Sequence, residues 1–153
     1  MKYTSTLIAV KNIKKSKQFY HDILGLRIID DFGANVTLDG GVVLQTIDSW
    51  QDFIGDKNIT LPNNASEVYF EETHMDSFLE HLNKFDITYV HAPLEHSWGQ
   101  RVVRFYDLDC HIIEVGEDIV MVVKRFVDSG MTMEQVAVRM DVPLTYVQKC
   151  LKT

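Results

Sequence analysis

The hydrophobic pattern of this chain is written twice. From Tyr3 to Val10, apolar and polar residues alternate among β-forming types, which predicts a strand. Asn12 then stands where a helix N-cap belongs, and Ile13, Phe19, Tyr20, Ile23 and Leu24 recur at helical spacing. Gly25 closes that helix, because glycine takes a left-handed backbone without a Cβ penalty. Leu26 to Asp30 predicts a second strand. Asn35 to Leu38 and Val42 to Ile47 predict two more, joined by the hairpin signal Asp39-Gly40-Gly41. Ser49 to Asn64 reads as a linker with one helical turn at Trp50 to Ile54. The order then returns. Glu67 to Glu71 predicts a strand, and Met75, Phe78, Leu79 and Leu82 mark a helix that Thr73 or Asp76 would cap. Ile87 to Val90 is a further strand and Ala92 to Gly99 a loop. Gln100 to Tyr106 and Ile112 to Val115 form a closing hairpin around Asp107 to Cys110. Each half reads strand, helix, strand, strand, strand. A repeat of about sixty residues predicts two equivalent half-sheets and a site where matching positions meet.

Strand alternation then sorts the side chains. Helices cover one face of each half-sheet, and the opposite face lines a cavity. Thr6, Ile8 and Val10 go under the first helix, leaving Ser5, Leu7 and Ala9 for the cavity. Val68 and Phe70 go under the second, leaving Glu67, Tyr69 and Glu71. Val103, Phe105, Ile113 and Val115 face the helices, while Val102, Arg104, Tyr106, Ile112 and Glu114 face the cavity. By the repeat, Gln45 matches Glu114 and Ser5 matches Glu67. A symmetric last turn would set Arg104 opposite Glu114, within reach of an ion pair. A slip of one residue would turn these side chains over.

Composition bounds the picture. The chain has 153 residues, of which 46% are hydrophobic and 24% charged, enough for one domain with a real core and an appendage. No apolar run approaches the roughly 20 residues of a membrane span, and Lys2 with the polar residues after it lacks a signal peptide's apolar region. The two cysteines, Cys110 and Cys150, have no CxxC spacing and read as free thiols of a cytoplasmic protein. Residues 1–118 carry 10 Lys+Arg and 19 Asp+Glu, a net of −9, whereas 119–153 carry 5 and 3, a net of +2. The acidic body argues against a nucleic-acid surface there.

Two stretches resemble the vicinal oxygen chelate superfamily, which includes glyoxalase I, bleomycin-resistance proteins, fosfomycin-resistance enzymes and extradiol dioxygenases. One runs from Leu7 to Ile13 and on through Ser16 to Tyr20 and Leu24-Gly25-Leu26. The other is Arg104 to Val115, similar to that superfamily's closing hairpin. The resemblance covers about residues 3–117, with modules near 3–48 and 65–117. It implies an α+β fold in which two βαβββ modules form a cup-like, eight-stranded mixed sheet, here followed by a helical extension over 119–153. It also implies a homodimer. Enzymes of the superfamily hold a divalent metal (Mn, Fe, Ni or Zn) at positions that fall on Ser5, Gln45, Glu67 and Glu114. Glu67 and Glu114 are good ligands, Gln45 is a possible third through its carbonyl oxygen, and Ser5 is poor. A catalytic site usually needs about three protein ligands and an open position.

Other candidates surround that set. His91, His96, Trp98, Gln100 and Arg101 fall within eleven residues. They predict a rim loop with Trp98 as a stacking wall and His96 or Arg101 gripping a polar ligand, or a surface loop anchored by one half-buried tryptophan. His111 reads as a hydrogen-bonded structural residue, Cys110 as a turn residue, and His74 and His81 as solvated. In the tail, Ile119 to Val127 is amphipathic and Gly130 breaks it. Thr132 to Gln135 has capping-box spacing, Val136, Ala137 and Met140 form an apolar face, and Leu144 to Leu151 makes a third helix. Thr132 to Val147 resembles a helix-turn-helix, although its last helix offers only Lys149 and Lys152 to a phosphate backbone.

The expectation is a glyoxalase/bleomycin-resistance-like protein that binds a small molecule without a complete catalytic metal site. Its pocket would comprise Ser5, Gln45, Glu67, Tyr69, His96, Trp98, Arg101, Arg104, Tyr106 and Glu114. The alternatives are a metal-dependent lyase, transferase or dioxygenase acting on a substrate with adjacent oxygens, and a ligand-responsive regulator using the tail.

Overall fold

A computed structural model describes every residue, Met1–Thr153. The elements in chain order are β1 (Thr6–Val10), α1 (Ile13–Leu24), β2 (Ile28–Asp31), β3 (Asn35–Leu38), β4 (Val42–Thr46), α2 (Ile47–Ile54), β5 (Glu67–Glu72), α3 (Met75–Leu82), β6 (Tyr89–Glu95), β7 (Arg101–Tyr106) and β8 (Ile112–Glu117). Three helices follow: α4 (Ile119–Asp128), α5 (Met133–Met140) and α6 (Leu144–Cys150). The strands make two four-stranded sheets, ordered β1-β4-β3-β2 and β5-β8-β7-β6. The second order repeats the first, so the duplication legible in the sequence is a duplication of topology.

The chain divides into two compact units, residues 1–67 with 106–112, and residues 68–105 with 113–153. In the first unit, β1 runs parallel to β4 with Leu7 beside Val43 and Ala9 beside Gln45. Tyr20 and Ile23 of α1 are buried with Ile8, Val10, Val42 and Leu44. Asn12 caps α1 by accepting from Lys15 N, and Gly25 ends it at φ 69°. The glycine turn between β3 and β4 is a short 3-10 segment with Gly40 at φ 77° and Gly41 at φ 85°.

The superfamily-like motif of the last hairpin proves to be scaffolding. Asp107 Oδ1 accepts from Asp109 N (2.9 Å) and His111 N (2.8 Å), which folds the turn back on itself. Its other oxygen accepts from the buried Tyr20 hydroxyl at 2.9 Å. Asp109 Oδ2 accepts from Lys11 N. Cys110 sits at φ 65°, a left-handed position that favours glycine. Burial pushes the Asp107 carboxyl up, against the lowering effects of nearby His111 and the donated hydrogen bonds. Burial, with the Asp107 charge second, pushes the Tyr20 hydroxyl well up.

Three local expectations are corrected. The segment read as a linker with one helical turn at Trp50 to Ile54 holds a longer helix, α2, which begins at Ile47 and touches β4 and β1. Neither Thr73 nor Asp76 caps α3. His74 occupies the cap with no side-chain bond, and its own N–H is taken by Glu72 at 2.6 Å. The strand expected to stop at Val90 continues as β6 through Pro93 to Glu95. β6 is an edge strand, where a residue without an N–H leaves no ladder bond unmade. Its pairing with β7 is irregular on both sides of His91.

The tail is continuous with the second unit. Asp118 caps α4 by accepting from Val120 N and Met121 N, and its own N–H reaches Glu72 O. Thr132 and Gln135 form the full capping box of α5. Val122, Val123 and Phe126 of α4 bury against Val136, Ala137 and Met140 of α5 and Val147 and Cys150 of α6. No helix is long and apolar enough to cross a membrane.

Candidate functional site

Four strands of the second unit bring one row of candidate side chains together. On β7, Arg104 stands opposite His91 of β6. The other neighbour of β7 is β8, and there Arg104 Nη2 pairs with Glu114 Oε2. The ion pair expected from a symmetric turn is present. Glu114 is buried, with 7% of its side chain exposed, and Arg104 is 26% exposed. Arg104 Nη1 lies 3.2 Å from His91 Nε2. Arginine can only donate, so Nε2 accepts, and the His91 proton sits on Nδ1, which donates to Ala92 O at 2.8 Å.

Tyr69 of β5 extends the row. Its hydroxyl accepts from Gln100 Nε2 (3.2 Å) and donates to Glu71 Oε1 (3.3 Å). Burial raises its pKa above the usual phenol range, with smaller upward effects from Glu71 and Glu114, so the group remains a donor at neutral pH. Gly116 of β8 lies directly beneath. A Cβ there would stand 3.0 Å from the Tyr69 hydroxyl and 3.1 Å from Gln100 Nε2.

The rim follows. His96 stacks on Trp98 with ring centroids 4.2 Å apart and planes 16° apart. Trp98 Nε1 donates to Gln100 Oε1. His96 is held below the ordinary histidine range by burial, then by the charge of Arg104 and by His91. Gln100, which sequence reasoning placed in the cluster but gave no role, links rim to row: its amide also donates to Glu117 O at 2.9 Å.

Arg101 goes elsewhere. It is three residues from Arg104, so alternation sends it to the opposite face. There Nε and Nη2 hold the buried Glu117 at 3.1 and 2.9 Å, and Nη1 holds Asp76 of α3 at 2.5 Å. Hydrogen bonds donated to Glu117 keep its pKa above the usual guanidinium value, against the opposing effect of burial. Arg101 braces the helix side and is not turned to the row that Arg104 joins.

The remaining candidates lie in the first unit. Gln45 is 1% exposed. Its Oε1 accepts from Asn35 Nδ2 at 2.6 Å, and its amide donates to Ser49 of α2. Ser5 is half-buried and Glu67 exposed. The Tyr106 hydroxyl donates to Asn64 Oδ1 at 3.0 Å. A cleft of about 320 Å³ opens along β1, walled by Leu7, Ala9, Trp50, Ile59, Leu61 and His111. His111 Nε2 lies 2.7 Å from Ala9 O, the hydrogen-bonded role expected of it. Trp50 carried no site signal in the sequence, because α2 was not recognised as a cover for β1.

These contacts also test the donor set for a divalent ion. Gln45 spends its oxygen on Asn35, and Glu114 shares its carboxylate with a guanidinium. A cation at Gln45 would share that oxygen with the Asn35 amide, and a cation at Glu114 would stand against the charge of Arg104. The residues at the four superfamily positions do not fit a metal centre of the usual three-ligand kind, and no cluster of three or more His, Cys, Asp or Glu side chains is placed to hold one.

Comparison with known proteins places the fold in its family. The model of the glyoxalase-like domain matches residues 3–120. A crystal structure of a protein of unknown function from Agrobacterium tumefaciens is 33% identical with a TM-score of 0.71, covering 78% of this chain and 95% of its own. A glyoxalase/bleomycin resistance protein/dioxygenase family enzyme from Burkholderia phytofirmans is 13% identical with a TM-score of 0.66, over 74% of this chain and 96% of that one. A glyoxalase/bleomycin resistance protein/dioxygenase from Nocardioides is 17% identical with a TM-score of 0.62, over 74% and 81%. No functionally curated protein matches. The chain belongs to the glyoxalase-like family of the vicinal oxygen chelate superfamily.

Proposed function

We propose that this protein binds a small organic molecule on the row formed by Tyr69, Glu114, Arg104 and His91, with His96 and Trp98 as the stacking rim, and that it does so without a catalytic metal. The observation that carries this reading is the buried Arg104–Glu114 pair. A guanidinium occupies the carboxylate that a metal-dependent relative would turn to its ion. The row presents the Tyr69 hydroxyl, which a ligand oxygen would take over from Glu71, a guanidinium in Arg104 and an aromatic wall in Trp98. That chemistry suits a planar ligand bearing carbonyl or carboxylate oxygens, because aromatic faces supply contact area and fixed donors supply orientation. In this reading the protein acts in the cytoplasm as a homodimer, and the tail supports the unit and does not read DNA. Lys149 and Lys152 are the only basic residues of its last helix and its end.

Elemental analysis of protein purified without chelator tests the metal half. Mn, Fe, Ni or Zn at one equivalent, lost in Glu114→Gln, would replace this reading with a metal-dependent lyase, transferase or dioxygenase. Thermal-shift and calorimetric titration with aromatic carboxylates and 1,2-dicarbonyl compounds tests the ligand half. Binding by the metal-free protein that is lost in Arg104→Met and Tyr69→Phe supports it.

A further inference from the structure

The family model stops at residue 120, just inside α4. Most of α4 and all of α5 and α6 are therefore additions to the family domain, and two of these helices reach back to the rim. Arg125 of α4 donates through Nη2 to Gly99 O at 2.5 Å. The same side chain holds Glu117 through Nε (3.2 Å) and Nη2 (3.0 Å), and Nη1 lies 3.5 Å from Glu95. Arg139 of α5 donates to Ser97 O through Nη1 and to Glu95 Oε1 through Nη2 at 3.1 Å. Both guanidinium groups lie over the Phe126 ring, 5.0 and 5.5 Å from its centroid. Phe126 in turn fills the space beside Gly99, where a Cβ would come within 2.1 Å of its Cζ.

Rim segment 95–100 is thus gripped at Glu95, Ser97 and Gly99 by residues of α4 and α5, while His96 and Trp98 alternate with those positions. Within the segment, the backbone bonds His96 N to Gln100 O and Gly99 N to His96 O only close the turn on itself. We infer that Arg125 and Arg139 are positioning residues, and that the added helices set the pose of Trp98 and His96. Free carbonyls on a short turn would let the segment sample several conformations. Two arginines from the tail helices select one of them. The inference rests on the proposed ligand row for its functional meaning, but its test reads the tryptophan directly.

The chain has two tryptophans, Trp50 and Trp98. In the 153-residue chain carrying Trp50→Phe, Trp98 is the sole indole reporter. Arg139→Met is the main variant, because Arg139 is on the surface and its loss leaves the helical core intact. Arg125→Lys is the second, keeping a charge for Glu117 while giving up the fork that reaches Gly99 O. Lys149→Met is the control for charge loss on the tail. Far-UV circular dichroism establishes that each variant is folded at the temperature used. The expected result is a red shift of Trp98 emission and a loss of its protection from acrylamide in Arg139→Met and Arg125→Lys, with no change in Lys149→Met. Unchanged emission and quenching in both arginine variants, with helices intact, would overturn the inference. A shifted Trp98 combined with unaltered binding of aromatic carboxylates would overturn the ligand role of the rim and leave the positioning role standing.

Discussion

At the scale of single residues, the asymmetry of the Arg104–Glu114 pair matters most. Breaking a buried pair from the cationic side strands a carboxylate that has 7% of its side chain exposed. Arg104→Met is therefore expected to cost about 2–4 kcal/mol in urea unfolding, somewhat below a fully buried pair because the guanidinium retains some solvent. Adding Glu114→Gln should recover much of that loss, since no uncompensated charge remains. Gly116→Ala acts on the same row by a different route. Its Cβ forces the Tyr69 hydroxyl or the Gln100 amide to move by a few tenths of an ångström. The expected outcome is weakened ligand binding with a small change in Tm, measured by titration and thermal melting together. Cys110, at φ 65°, should tolerate glycine and resist valine, because a β-branched side chain is strained in the left-handed region by about 1–2 kcal/mol.

At the scale of elements, caps and edges account for what the hydrophobic pattern located only roughly. α5 is held at its start by a reciprocal capping box, and Thr132→Ala should lower stability by about 1 kcal/mol in chemical denaturation. Substituting Asp76 should leave the start of α3 unaffected, because Asp76 serves Arg101 and no side chain caps that helix. β6 shows why its extent was missed. Pro93 is a breaker signal in most contexts, and only a place on the sheet edge makes it harmless. Whether a strand is central or at an edge is a tertiary fact that no local window contains. α2 was underestimated for a related reason. A helix of eight residues has little stability of its own and persists by packing on β4 and β1.

At the scale of the whole molecule, the two units should respond to acid in opposite senses. Burial alone would raise the Glu117 carboxyl, but hydrogen bonds from Arg101 and Arg125 outweigh it and hold the group below the usual glutamate range. A depressed folded-state pKa contributes stability above the unfolded value, near 4.3 for glutamate, and loses it as pH falls through the folded value. Acidification below about pH 4 should therefore loosen α4 and the rim segment it grips. Asp107 has the opposite sign. Its raised pKa favours the folded state at low pH, and that contribution is lost as pH rises through the folded value. Amide hydrogen exchange across this range should show α4 losing protection while the 107–111 turn keeps its own. Loss of protection at both places together would contradict the assignment.

The sequence by itself determined the duplicated order of elements, the family, and the row of Tyr69, Arg104 and Glu114. The order and the row rest on periodicity, since a period-two pattern carries register directly into the choice of face, while the family rests on the resemblance of the Leu7–Leu26 and Arg104–Val115 stretches. Helix composition likewise foretold the tail's buried face. Tertiary structure alone decided what each candidate is used for. Arg101 and Arg104 are the same residue type three positions apart, yet one braces the helix side and the other pairs with Glu114. Gln45 sat at a superfamily ligand position, but Asn35 and Ser49 take both ends of its amide. A ligand role depends on which partner arrives first at a donor or acceptor. That competition is settled between elements distant in sequence, as it is where Arg125 and Arg139 come back to hold the segment that carries Trp98.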